Sequence, residues 1–172
     1  MQFNIQETIS RESKLTIDEQ LNVDALFEGR QDVLSAGPLH VSLQVWGMSD
    51  HVAAEGQLTV DLEMACSRCL ESVKEHIVIP FYEGFKYKAT GKTEEESEAE
   101  SEDYIVVSEE RVDLKPYVEE YLLLFMPFAP LCSQDCSGLC PKCGSNLNEQ
   151  PCGCDTRAVD PRFAALKDLF KE

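Results

Sequence analysis

The sequence predicts an α+β fold: an antiparallel β-sheet, one core helix, and a cysteine-rich C-terminal tail ending in a short helix. Three observations carry this. Apolar residues alternate with polar ones through most of the first half, one segment after residue 113 has helical periodicity instead, and six of the eight cysteines lie between 132 and 154. With 172 residues, 43% hydrophobic and 27% charged, the chain is long enough to bury a core. Its composition excludes collagen-like, fully disordered and repeat architectures.

Phe3/Ile5 and Leu15/Ile17 are two weak strand patterns. Leu39, Val41, Leu43 and Val45 share one face, Gly47-Met48-Ser49-Asp50 turns the chain, and Leu58, Val60, Leu62 and Met64 again share one face. That is a hairpin pattern. Ile77, Ile79, Phe81, Phe85 and Tyr87 continue it, and Pro80, lacking an N–H for the ladder, marks an edge or bulge. Residues 89–103 contain only alanine as apolar content, and seven acids fall within 94–103, so this stretch is expected to be an acidic mobile loop. Tyr104 to Val107 adds a strand. Leu114, Tyr117, Val118, Tyr121, Leu122 and Phe125 then recur at helical spacing behind Asp113 as N-cap, and Pro127 stops the helix. Its end, residues 121–126, is apolar almost all round and reads as core. Asp160 and Pro161 provide the N-cap and first position of a final helix bearing Phe163, Leu166, Leu169 and Phe170. About ten residues are marginal as an isolated helix, so this one needs a docking surface. The expected organisation is an α+β domain over 1–131 and a metal-binding tail over 132–172.

Fifteen Lys and Arg against 32 Asp and Glu give a formal charge of −17. This argues against affinity built on neutralising nucleic-acid phosphates, and a basic protein partner fits better. The longest nearly apolar run, 121–131, is too short for a bilayer and carries Pro127 and Pro130, so no membrane association is expected. The first residues lack a basic flank and an apolar stretch, which points to a cytoplasmic, reducing environment.

The cysteines form four close pairs: Cys66/Cys69, Cys132/Cys136, Cys140/Cys143 and Cys152/Cys154. Tight turns that aim two sulfurs at one point suit a tetrahedral Zn²⁺ ion, and two such turns complete a closed structural site. Gly144 after Cys143 relieves the second turn. Eight ligands make two zinc sites. Sequence distance favours joining Cys140/Cys143 to Cys152/Cys154 through the short Asn-rich loop 144–151, which leaves Cys66/Cys69 with Cys132/Cys136. The interleaved pairing, Cys66/Cys69 with Cys140/Cys143, stays open. Disulfides suit an oxidising compartment, and a redox-active Cys66-x2-Cys69 lacks a surrounding βαβ pattern. His40, His51 and His76 have no Asp or Ser partner at recognisable spacing, and no phosphate-cradling Gly loop, GxSxG or HExxH occurs. No enzymatic activity and no small-molecule substrate are therefore expected.

The segments CSRCL (66–70), FMPFAPLCSQDCSGLCPKCGSNLNEQPCGC (125–154) and DPRFAALKDLF (160–170) resemble the bacterial large ribosomal RNA subunit accumulation protein family. In that family the first Cys-x-Arg-Cys pair is general and the dense cysteine tail belongs to some members. The resemblance implies a non-catalytic zinc-binding ribosome-biogenesis factor supporting accumulation or maturation of 23S ribosomal RNA. The partner would be a ribosomal protein or large-subunit precursor particle, with RNA engaged indirectly. The alternatives are a thiol-based redox or zinc sensor, or an adaptor for an RNA-processing nuclease.

Overall fold

The computed structural model describes residues 1–11, 14–88 and 104–155. The expected acidic loop and terminal helix lie outside these residues. The chain divides into two compact units, Met1–Met64 with Lys74–Phe128, and Ala65–Val73 with the described part of Ala129–Glu172.

Among the described residues eight strands form: β1 Gln2–Asn4, β2 Leu15–Leu21, β3 Val33–Ala36, β4 Leu39–Gly47, β5 Val52–Ala65, β6 Ser72–Tyr87, β7 Ile105–Val107 and β8 Arg111–Asp113. Two α-helices, α1 Ile5–Ser10 and α2 Lys115–Phe125, and a 3₁₀ turn at Asp24–Phe27 accompany them. Six strands make one sheet in the order β2-β4-β5-β6-β7, with β3 also on β5; β1 and β8 pair separately.

The β4–β5 hairpin follows directly from its alternation. Val41 faces Leu58 and Val45 faces Ala54 across the ladder, and all four are buried. Met48 N–H closes the turn on the His51 carbonyl at 2.8 Å. Leu43 lies opposite Gly56, where a Cβ would stand 2.1 Å from the Ser42 carbonyl oxygen, so only glycine lets the strands approach this closely. Leu58, Val60, Leu62 and Met64 continue the buried face of β5, and Ile79, Phe81 and Phe85 extend it on β6.

The structure differs from the expected fold in four places. The sheet is mixed rather than purely antiparallel, because β7 lies parallel to β6 at Phe85–Tyr87. The stretch between Tyr87 and Ile105 exceeds the dozen or so residues that such a crossover needs. Ile5 does not extend β1 but opens α1, whose first turn is capped by Asn4 Oδ1 accepting the Glu7 N–H at 3.0 Å. Asp113 still serves the start of α2, accepting the Lys115 N–H at 3.0 Å, but Leu114 occupies the N-cap itself. Lastly, α2 buries one face only. Val118 and Leu122 are buried, and Tyr121 and Tyr117 pack on Phe81 and Phe85 at ring separations of 4.6 and 5.1 Å. Leu123, Leu124 and Phe125 are exposed by 42%, 71% and 48%. Among the described residues no helix is long and apolar enough to cross a membrane.

Candidate metal centre

The turn between β5 and β6 is a cysteine knuckle. The Cys66 N–H donates to the Glu71 carbonyl at 2.8 Å, and the Leu70 N–H donates back to the Cys66 carbonyl at 2.9 Å. The second Cys-x2-Cys turn repeats this pattern: Cys140 N–H to the Ser145 carbonyl and Gly144 N–H to the Cys140 carbonyl, both at 2.8 Å. Closing the loop this tightly puts the residue after the second cysteine in left-handed backbone. Gly144 is there at φ 73°, and Leu70 takes the same conformation at φ 64°.

Two groups of four sulfurs result, Cys66/Cys69/Cys132/Cys136 and Cys140/Cys143/Cys152/Cys154, and within each the sulfurs lie within 4.8 Å of one another. This is the grouping favoured by sequence distance; the interleaved arrangement does not form. All eight cysteines are free thiols. In the first group the Cys66 and Cys136 sulfurs are 3.8 Å apart and those of Cys69 and Cys132 are 3.5 Å apart. A tetrahedral ion with metal–sulfur bonds of ~2.3 Å needs sulfurs separated by roughly 3.8 Å. The spacing suits such an ion, and it is far beyond the ~2.0 Å of a disulfide.

Polar neighbours stabilise charge on particular sulfurs. Burial pushes the Cys66 thiol up, but the backbone N–H groups of Cys69, Cys132 and Arg68 outweigh it and bring it down to about 6. Asn148 holds Cys136 below the usual thiol range, with its Nδ2 3.3 Å from the sulfur. Cys69 is raised, because burial and the Cys66 sulfur outweigh the Glu71 N–H. Cys132 is pushed up to about 12 by the Cys136 and Cys69 sulfurs. The second group behaves alike. The N–H groups of Cys143 and Lys142 lower Cys140, the Ser145 hydroxyl and N–H bring Cys143 to about 6, and Cys154 is pushed up to about 12 by Cys143. Cys152 is raised by the Cys140 sulfur and burial against the Cys154 N–H. In each group two sulfurs are thus lowered and two raised, and a cation that binds all four as thiolates would displace the protons they still carry.

Sequence reasoning missed the residues that assemble the first group. Arg68 donates from Nη1 to the Cys136 carbonyl at 2.8 Å, and its own carbonyl accepts the Leu139 N–H at 3.1 Å. Gly138, at φ 73°, passes so near that a Cβ would lie 3.1 Å from the Arg68 carbonyl oxygen. Asn146 donates to Glu71 Oε1 at 2.8 Å. The Asn-rich composition of 144–151 is the available signal, though by itself it indicates only a short loop that closes Cys140/Cys143 onto Cys152/Cys154. Cys66, Cys69, Cys136 and Cys140 are buried, while Cys132 and Cys143 are exposed. Neither group leaves a sulfur outside its quartet, so a four-coordinate ion would have no open position for water or substrate.

The profile of the family described as large ribosomal RNA subunit accumulation protein YceD matches residues 54–170. An uncharacterized protein of Mycobacterium tuberculosis is 34% identical over 134 residues, covering 77% of this chain and 62% of that protein. The uncharacterized protein YlbN of Bacillus subtilis is 26% identical over 159 residues, covering 90% of this chain and 87% of its own. The chloroplastic large ribosomal RNA subunit accumulation protein YCED homolog 1 of Arabidopsis thaliana is 23% identical over 169 residues, covering 83% of this chain and 51% of its own. The chain spans about three-fifths of the length of the mycobacterial relatives. No solved structure matches.

Proposed function

Since the chain belongs to the YceD family of large ribosomal RNA subunit accumulation proteins, we propose that it is a non-catalytic, zinc-binding ribosome-biogenesis factor supporting accumulation or maturation of 23S ribosomal RNA. The observation that carries the metal part is the pair of closed four-sulfur groups. Soft thiolates in tetrahedral array select zinc or iron–sulfur chemistry, and two-turn knuckles with four sulfurs are the usual setting of structural zinc. Cys66, Cys69, Cys132 and Cys136 hold one ion; Cys140, Cys143, Cys152 and Cys154 hold the other. Zinc here contributes folding free energy and shapes a surface without activating water.

The charge of −17 supports a mechanism in which a ribosomal protein or large-subunit precursor particle is the direct partner and RNA is engaged through it, in the cytoplasm. Deleting the gene tests this. The ratio of large- to small-subunit ribosomal RNA falls, and purified protein associates with precursor particles rather than with isolated RNA. An unchanged ratio removes the assignment, and tight, steeply salt-dependent binding to naked 23S RNA removes the partner-mediated mechanism.

Cys143, exposed and brought down to about 6, favours a second reading, a thiol-based redox or zinc sensor. Mild peroxide separates the two: a sensor oxidises reversibly and releases metal at low dose, whereas structural zinc stays bound.

A further inference from the structure

The outward face of α2 continues onto β6. Leu124 and Phe125 are joined there by Tyr82, itself 60% exposed, and with Pro80 and Tyr117 they line a groove of about 610 Å³. A contiguous exposed patch of large apolar side chains marks an interaction surface more often than a neutral surface.

The groove is held in shape by its own floor. The Tyr121 hydroxyl lies 2.9 Å from the Tyr82 carbonyl oxygen and 2.8 Å from Glu83 Oε1, and its ring stacks on Phe125 at 6.0 Å with planes 10° apart. A preformed groove costs little ordering when a ligand arrives. Backbone pairing is a poor way to fill it. Among the described residues β7 pairs with β6 only at Phe85–Tyr87, Pro80 has no N–H to offer, and the Tyr82 carbonyl is already engaged by Tyr121. An occupant must bind through side chains.

Charge selects the occupant. Glu83 and Glu120 line the groove beside the apolar residues, and no Lys or Arg does so among the described residues. A phosphate backbone finds no counter-charge here, whereas a polypeptide carrying Lys or Arg beside Leu, Ile or Phe matches both the apolar floor and the carboxylates. We infer that the groove between β6 and α2 is the docking site for a basic amphipathic segment of a ribosomal protein. The choice of a ribosomal protein rests on the ribosome-biogenesis reading; the basic amphipathic chemistry rests on the groove.

The full chain is tested against synthetic peptides tiling the large-subunit ribosomal proteins of the same organism. Wild type binds a subset rich in Lys or Arg next to large apolar residues. Leu124→Asp weakens that binding on the order of tenfold or more, the scale on which loss of an interface anchor is felt. Glu120→Lys, which leaves the apolar floor intact, weakens it too and stands in should Leu124→Asp fail to fold. Leu34→Asp, at a 52% exposed position on β3, leaves binding unchanged. Absence of binding by basic amphipathic peptides, or binding indifferent to both groove variants, overturns the inference. So does a wild-type dimer that Leu124→Asp dissolves, which gives the groove to a second copy, or an RNA oligonucleotide that wild type binds and Leu124→Asp does not. In cells lacking the gene, wild type restores large-subunit RNA and Leu124→Asp does not. Full rescue by Leu124→Asp overturns docking alone; a deletion that never lowers this RNA overturns the biogenesis reading and leaves the peptide result standing.

Discussion

Asn148 donates from Nδ2 to the Cys136 sulfur at 3.3 Å while its Oδ1 accepts the Ser137 N–H at 2.7 Å. Asn148 lies in the loop between Cys143 and Cys152, so a residue framed by one sulfur group steadies a ligand of the other. Asn146 reinforces it: its Oδ1 accepts the Asn148 N–H at 3.0 Å as its Nδ2 holds Glu71. The two groups share one support.

Replacing Asn148 with Ala is therefore expected to weaken metal binding at the first group by about 10–100-fold, the usual effect of removing a hydrogen bond to a metal ligand. Chelator competition should show one of the two ions leaving at lower chelator concentration than in wild type. Release curves identical to wild type refute the support.

Elemental analysis of the purified chain is expected to find two zinc ions. Cys66→Ser should destabilise more than Cys152→Ser, because Cys66 is fully buried and its group joins segments some 70 residues apart, whereas the second group closes a short loop. Thermal unfolding with and without chelator measures both; equal losses contradict the difference in loop closure.

Leu70 is held in left-handed backbone at φ 64° with its side chain 64% exposed. Left-handed geometry costs a residue with a Cβ roughly 1–2 kcal/mol, and glycine returns part of that gain through its looser unfolded state. Leu70→Gly is expected to leave stability unchanged or raise it by up to about 1 kcal/mol, while β-branched Leu70→Val lowers it. Denaturant midpoints of the metal-loaded variants decide the order.

Metal loading should depend on pH with a definite sign. Without metal, Cys132 and Cys154 are held at about 12 by neighbouring sulfurs and stay protonated at neutral pH. All four sulfurs of a loaded site are deprotonated, so binding releases protons and acid favours the metal-free form. Apparent affinity rises about tenfold per pH unit for each proton displaced. Titration calorimetry in buffers of different ionisation enthalpy reads the proton count; no buffer dependence rules this out.

Where residues repeat a simple period, the chain's own pattern leaves one outcome. The faces of β4 and β5 were legible because period-two alternation over many residues allows only one side to be buried, and a register slip would expose Leu39, Val41, Leu43 and Val45 together. The four cysteine pairs were legible because close spacing confines two sulfurs to one turn, and loop length ranked their partners. Elements of three to six residues, β3, β8 and α1, were not, since so few positions show no period and their stability comes from distant strands, with which β3 and β8 pair and on which α1 packs. Tertiary structure alone decided the parallel placement of β7 and the support from Arg68 and Asn148, which depend on backbone groups that have no sequence signature. It also decided the fate of α2. An apolar run tells how much surface a helix could bury, and only the packing around it determines that Leu122 is covered while Leu124 faces outward.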